Sequence, residues 1–538
     1  MKYSASYKNQ SGIITPLVLV IASVLIIFAV SLMNWSLTEY KNTVRKVKRN
    51  QSLQIAEAGV NYYKWHLAHD SADFKDGNDW CCDNDPLLSF ADCSNLCGPY
   101  EHEYKDYNDA IIGQFSLLIT PPEVGSTITT VESTGHAYGN DAVQKKVTSL
   151  IGKRSLAEYS FLANSPLWLG ENEGFSGPIH SNGGIRFDTV ATAEVTSAVE
   201  SYNCAGTGHG CTGIKDGIWG SGGPTTFWRF PVPVVDFDLF SVSLADIKAE
   251  AIADGLYFGD NSGICGDGIC GKTESRALCP ADCLASCGNN ICNPGENNIT
   301  CTKDCPLAGY LVRFLLDGTV NVYKVNTLMS QVGYYNFEVS SWRNEAEQTN
   351  NITLLNNFPM PANGLIFIED DVWVDGIVNG KVTVGAAIFP IDVNNYARIR
   401  INDNIQYLAR NGNNVLGLMA QGDILVPKYA PTDLTIDAML LSQNGHVYYR
   451  EYIRDIYCYL GYSSYCDANR VKNSIEVYGG IITNLFWTWT WVDWDGFSWV
   501  TVGGYDNTST IYNNFLTFAP PPFFPTSENF EVLSWEEE

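Results

Sequence analysis

The sequence predicts a mainly β protein led by one long N-terminal helix, and three observations carry that expectation. An uncharged, almost wholly apolar run extends from Ile13 to Trp35, short β-forming runs broken by Asn-Gly and Asp-Gly pairs fill the second half, and sixteen cysteines fall in local clusters. Together they predict a transmembrane and amphipathic α-helix, then a β-rich body built as a parallel β-helix (solenoid) with a small disulfide-rich insert.

The expected organisation is a leader or cytoplasmic tail at 1–12, a transmembrane helix at 13–35 and its continuation at 36–70. A β-rich, disulfide-containing region follows at 71–155, a first part of the solenoid at 156–262 and a cysteine-rich tandem repeat at 263–306. The solenoid resumes at 307–500, and a C-terminal tail at 501–538 is expected to be extended and mobile because of Pro520-Pro521-Pro522 and the final Glu536-Glu537-Glu538.

Ile13–Trp35 is 23 residues long. As a helix it would measure about 34 Å, enough to cross the hydrocarbon core of a bilayer. No small-residue cleavage site follows in Asn34–Glu39, which favours an anchor over a removed secretory signal. Beyond it, Leu53, Ala56, Val60, Tyr63 and Leu67 recur at steps of three and four, a stripe that fits either an intramolecular core or the seam of an assembly.

Ser11-Gly12 followed by Ile13-Ile14-Thr15-Pro16-Leu17, the apolar helix, and then Gln51-Ser52-Leu53-Gln54-Ile55-Ala56-Glu57-Ala58-Gly59-Val60 resembles the N-terminus of minor-pilin-like accessory proteins of type IV pilus systems. The resemblance implies a leader clipped after Gly12, with Ile13 as the first mature residue, and a helix that stays in the membrane or packs into a filament. Major pilins carry Glu at the fifth mature position, where this chain has Leu17. That departure points to a terminal cap or membrane-resident component rather than a repeating shaft subunit.

The net charge is −26 although the first fifty residues are basic, so the remainder is more acidic still. Such a body repels phosphate backbones, which argues against nucleic acid as a partner. Lys41 to Arg49 put more positive charge after the helix than Lys2 and Lys8 put before it, a bias that alone would hold the body inside. Large domains translocate largely regardless of flanking charge, and the cysteine usage needs an oxidising exterior.

Those cysteines are Cys81, Cys82, Cys93 and Cys97, then Cys204 and Cys211, then Cys265, Cys270, Cys279, Cys283, Cys287, Cys292, Cys301 and Cys305, and last Cys458 and Cys466. Their spacing suits short-loop disulfides better than zinc, because close CxxC pairs and accompanying histidines are missing from the eight-cysteine block. That block is a tandem repeat: Cys265, Cys270, Cys279 and Cys283 recur 22 residues later, as do Glu274 and Asp282 at Glu296 and Asp304. Each copy is too small for its own core, so disulfides are the expected staple. The matched acids leave calcium as the one cofactor to consider, although no EF-hand loop is present. Gly266-Asp267-Gly268-Ile269-Cys270-Gly271-Lys272-Thr273 matches the phosphate-loop pattern by chance, since the sister copy lacks the Lys.

Within the body the runs Leu365–Ile368, Val372–Val374, Val382–Val384, Arg398–Ile401, Val415–Leu418 and Ile424–Val426 are three to five residues long with no long amphipathic helix between them. Stacked rungs of a parallel β-helix and an antiparallel sandwich or barrel both fit. The β-helix is preferred because runs this short enclose no core alone, whereas stacking buries a continuous one. The stretch from Gly177-Pro178-Ile179-His180 to about Asn484 also looks like the β-solenoid bodies that accompany pilin-like N-termini in large bacterial envelope proteins, and that resemblance brings no enzymatic activity.

No catalytic or metal constellation stands out. His66 and His69 are three apart on a helix but lack a third ligand, and no GxSxG elbow is present. Enzymatic candidates on a β-helix flank would be Asp392, Arg398, Arg400 and Asp403, with Arg398 and Arg400 alternating outward. Trp487, Trp489 and Trp491 share one strand face and suit either a sugar platform or a cap on the core. The reading is therefore a non-enzymatic, single-pass envelope protein with an extracytoplasmic C-terminal body and a structural or adhesive role. Its expected partners are the membrane, other pilins or pilus-assembly proteins, and surface glycans. The alternative is a membrane-tethered polysaccharide lyase or hydrolase.

Overall fold

A computed structural model of the chain describes residues 14–77, 98–123, 126–139, 143–171, 173–207, 210–237, 239–259, 308–336, 339–452 and 469–538. The chain is mainly β with one long apolar N-terminal helix, and it divides into two compact units. The first comprises residues 1–121, 128–152 and 529–538; the second comprises residues 122–127 and 153–528.

In the first unit, helix α1 runs unbroken over Ile14–His69. Its N-terminal half is bare: Leu17 is 56% and Phe28 63% exposed, and the apolar side chains around them are exposed in the same way. That surface is unfavourable in water and suits lipid or a partner. The C-terminal half is amphipathic and buries Ile55, Ala56, Val60, Tyr63 and Leu67 against a five-stranded sheet. The stripe read from the sequence is therefore intramolecular core. The sheet order is Tyr100–Lys105, Ile111–Thr120, Thr129–Ala137, Gln144–Ser155 and Thr526–Glu537, and the first four strands are antiparallel neighbours.

Small residues set the helix-to-sheet distance. A Cβ on Gly135 would come within 2.1 Å of the Ser52 carbonyl oxygen, and one on Gly59 within 2.3 Å of Ser133 Oγ. The Ser52 hydroxyl donates to the Val143 carbonyl at 2.6 Å and accepts from the Ala137 amide at 3.1 Å, so the helix is pinned by polar contacts as well.

The second unit is built on parallel ladders. Leu365–Glu369, Lys381–Ala386, Val415–Ala420, Asp433–Ser442, Val471–Thr483, Phe161–Ala163, Ile179–Ser181 and Val195–Ser197 each pair in parallel with the next. The register aligns Ile366, Val384, Leu418, Leu440, Ile481, Phe161, Ile179 and Val195 in one buried column. The earlier segment thus joins the ladder after Ile481, beyond the later one. Successive side chains alternate faces, so the neighbours Phe367, Met419, Leu441, Ile482 and Leu162 form a second buried cluster, covered by Leu244, Ile247 and Ala251. These three come from α2, Leu239–Asp254, a helix that the strand-centred sequence reading missed despite their spacing of three and four.

A second ladder stacks Gly309–Phe314, Val372–Val378, Ile399–Tyr407, Ile424–Val426, Val447–Tyr449 and Trp487–Thr488, also in parallel. Tyr310, Val372, Ile399, Ile424, Val447 and Trp487 line up in the same core as the first column. Antiparallel pairs sit beside it, including Thr319–Leu328 with Thr349–Pro359 and, between them in sequence, Val332–Asn336 with Ser341–Glu345.

Residues 501–538 differ from the mobile tail that the sequence suggested. Trp499–Tyr512 is a strand parallel to Val471–Thr483, Leu516 and Phe524 are buried in the cluster under α2, and Thr526–Glu537 completes the sheet of the first unit. The alternating apolar residues outweigh the prolines, whose segment is held by a hydrogen bond from Thr383 Oγ1 to the Pro522 carbonyl.

Candidate functional site

The second ladder places its alternate side chains on the face away from the core, in the registered series Leu311, Trp373, Arg400, Leu425 and Tyr448. Arg400 is 1% exposed. Sequence alternation sends Arg398 and Arg400 outward together, and on that outer face acidic residues remote in sequence cover them. Arg400 donates to Asp371 Oδ2 at 2.7 Å and to Glu345 Oε1 at 2.9 Å, while Arg398 reaches Glu345 at 2.8 Å and its amide donates to Asp371 at 2.8 Å. Arg450 continues the network to Glu345 at 2.9 Å and Glu347 at 2.7 Å, and Tyr452 also donates to Glu347.

At the edge of this network a cleft of about 370 Å³ opens between Tyr335, Asn394, Tyr396, Arg398, His446 and Phe486. Asp423 lies in its wall. It accepts from the His446 amide at 2.8 Å, pairs with His446 Nδ1 at 2.9 Å and accepts from the Tyr448 hydroxyl at 3.3 Å. Burial alone would raise the Asp423 pKa, but the bonds to His446 and the nearby Arg450 charge outweigh it and hold the carboxyl at about 2. Burial acts the same way on Glu345 and Asp371; the Arg450, Arg398 and Arg400 guanidiniums overcome it at Glu345 and those of Arg400 and Arg398 at Asp371, so both carboxyls are also lowered. Three guanidiniums among carboxylates kept ionised form a structural lattice.

Of the four enzymatic candidates, the structure brings Arg398 and Arg400 together through Asp371 and Glu345. Asp392 and Asp403 stay apart and exposed, each accepting from nearby backbone amides in a turn or strand edge. Asp371, Glu345, Glu347, Asp423, His446 and Arg450 escaped the sequence reading because nothing local joins them.

Trp487 and Trp489 are 7% and 1% exposed, and Trp491 is partly buried against the same core. They cap packing rather than present a platform. His66 pairs with Asp73 at 2.9 Å and His69 with the Trp65 carbonyl at 2.8 Å, so the two do not converge on a metal. Among the described residues no group of three or more metal-ligating side chains forms.

Cys204 and Cys211 form a disulfide. The other fourteen cysteines, the processing residues Gly12 and Ile13, the tandem repeat with its calcium question, and the phosphate-loop lookalike lie outside the described residues.

No family model matches the chain, and no curated protein matches it. Among solved structures, the competence-associated pilin ComZ from Thermus thermophilus is similar over 91% of this chain and 97% of that one, at 11% identity and a TM-score of 0.25.

Proposed function

We propose that the chain is a non-enzymatic envelope protein, anchored by the N-terminal half of α1 and presenting its body outside the cytoplasm as a structural or adhesive component associated with a type IV pilus or pseudopilus. The observation that carries this reading is the division of α1 into a bare apolar half and a half packed on an antiparallel sheet. One uninterrupted helix thereby serves both lipid and protein, as the resemblance to accessory pilins requires. The disulfide Cys204–Cys211 supports an oxidising compartment for the body. The parallel ladders, with aligned columns of apolar residues, support a β-helix in which each short strand is a rung. Other pilins and surface glycans are its proposed partners, and no cofactor is required.

N-terminal sequencing of the native protein tests the pilin-like route. A start at Ile13 supports it, and an intact Met1 reduces α1 to a plain tether.

A tethered polysaccharide lyase or hydrolase has one observation in its favour, the His446–Asp423 pair in the wall of an open cleft. Release of unsaturated or reducing sugar ends from uronate polymers by the purified chain would establish that reading over ours.

A further inference from the structure

Four tryptophans of the second unit, distinct from the buried Trp487 and Trp489, form a connected row. Leu167–Leu169, Ile185–Phe187 and Ile218–Trp219 are parallel neighbours whose register aligns Trp168, Arg186 and Trp219. Leu167, Ile185 and Ile218, one position earlier, are buried in the core, and strand alternation therefore sends the aligned trio to the other face.

The Arg186 guanidinium lies 4.3 Å from the Trp168 ring and 5.3 Å from that of Trp219, and the Lys215 ammonium lies 4.9 Å from Trp219. Trp168 meets Trp499 edge-on at 5.8 Å, and Trp499 meets Trp494 at 5.6 Å. The row is fixed by hydrogen bonds. Asp188 accepts from Arg186 Nε at 2.7 Å and from Trp168 Nε1 at 3.0 Å, and the Tyr202 hydroxyl accepts from Trp219 Nε1 at 2.9 Å. Trp494 and Trp499 remain 50% and 46% exposed.

An open concavity of about 670 Å³ adjoins the row, lined by Arg186, Lys215, Trp219, Thr212 and the Cys204–Cys211 disulfide. Among the described residues its charged lining side chains are Arg186, paired with Asp188 at 2.7 Å, and Lys215. Among the described residues the Lys215 ammonium has no hydrogen-bond or ion-pair partner, only the face of Trp219. An ammonium beside a fixed aromatic surface suits a ligand that carries an anionic group on an otherwise apolar-faced ring.

We propose that this row binds an anionic saccharide, with its carboxylate or sulfate at Lys215, the C–H face of that sugar on Trp219, and further units toward Trp168 and Trp499. The proposal deepens the adhesive part of the function proposed above by naming a ligand class, and it rests on that reading in placing the site outside the cell.

Affinity electrophoresis of the full chain in detergent, through gels holding polygalacturonate, its methyl ester, dextran sulfate or dextran, tests it. Retention by polygalacturonate or dextran sulfate is expected, with affinity at least about tenfold weaker for the two uncharged polymers. Whichever anionic polymer retains the protein tells carboxylate from sulfate. Lys215→Gln, at a partly exposed position, should weaken retention about tenfold, and Trp219→Ala at least as much. Absence of retention by both anionic polymers, equal retention by dextran, or unchanged retention of Lys215→Gln would overturn the site. None of these results bears on the start of the mature chain, so the site and the anchored reading fail separately.

Discussion

Arg400 and Trp373 occupy registered positions on neighbouring parallel strands, and the guanidinium lies 4.7 Å from the indole ring. The cation is therefore held between an aromatic face and two carboxylates, Asp371 and Glu345, with almost no access to water. Replacing it by Met would leave both carboxylates short of a partner, and the loss of one member of a buried pair costs about 3–5 kcal/mol. Chemical denaturation of Arg400→Met should show a loss of that order, with Arg400→Lys intermediate because it keeps the charge and loses the fork.

Gly135 tests the close approach of α1 to its sheet. A Cβ there would meet the Ser52 carbonyl oxygen at 2.1 Å and the Ala56 amide nitrogen at 2.4 Å, backbone atoms that cannot turn aside. Gly135→Ala should destabilise the first unit by about 2 kcal/mol or more through overpacking. Limited proteolysis should then cut around α1 at lower protease concentration, with the second unit unaffected.

Two carboxyls give opposite pH dependence. Asp423, held at about 2 against an ordinary 3.8, stabilises the fold above pH 3.8, and this contribution is lost as pH falls through about 2. It is worth about 2 kcal/mol at neutral pH, so Asp423→Asn should flatten the acid limb of the stability curve. Burial pushes Glu173 up to about 7 despite the Gly170 amide that bonds it, and the nearby Asp188 adds to the rise. Its contribution is full below 4.5 and is lost as pH rises through about 7. Glu173→Gln should therefore be more stable than the parent at pH 8 and show no advantage at pH 4, measured by thermal melts.

The tryptophans separate core from surface. Trp489→Ala should cost about 3–5 kcal/mol as a large-to-small change in a closed core, whereas Trp494→Ala should stay within about 0.5 kcal/mol. Among the described residues Trp489 Nε1 is buried without a hydrogen-bond partner, so Trp489→Phe should be far milder than the alanine variant. Equal losses at positions 489 and 494 in denaturant melts would contradict the packing described.

Much of this architecture was legible in the sequence because its signals are local. The three-and-four spacing of Ala56, Val60, Tyr63 and Leu67 reported the buried side of α1, and runs such as Leu365–Ile368 and Val372–Val374 reported strands buried on both faces. Pairing between distant segments left no such trace. Nothing in Ile481 or Phe161 announces that they are registered neighbours, and Arg400 looks solvated until Asp371 and Glu345 are brought onto it. The C-terminal strands were obscured by Pro520–Pro522, which read as a spacer and in fact separate two paired segments. Tryptophans dense in sequence divide between the core, at Trp487 and Trp489, and a surface row in which Trp494 and Trp499 meet the sequence-distant Trp168 and Trp219.

The proposed placement of the body beyond the membrane is tested most directly at Cys204 and Cys211. Intact cells would be treated with a membrane-impermeant maleimide, before and after an impermeant reductant, and the two sites read by mass spectrometry. No labelling is expected at first, and labelling of both sulfurs once the reductant is added, with the cells still whole. Free thiols that react only after lysis would contradict it.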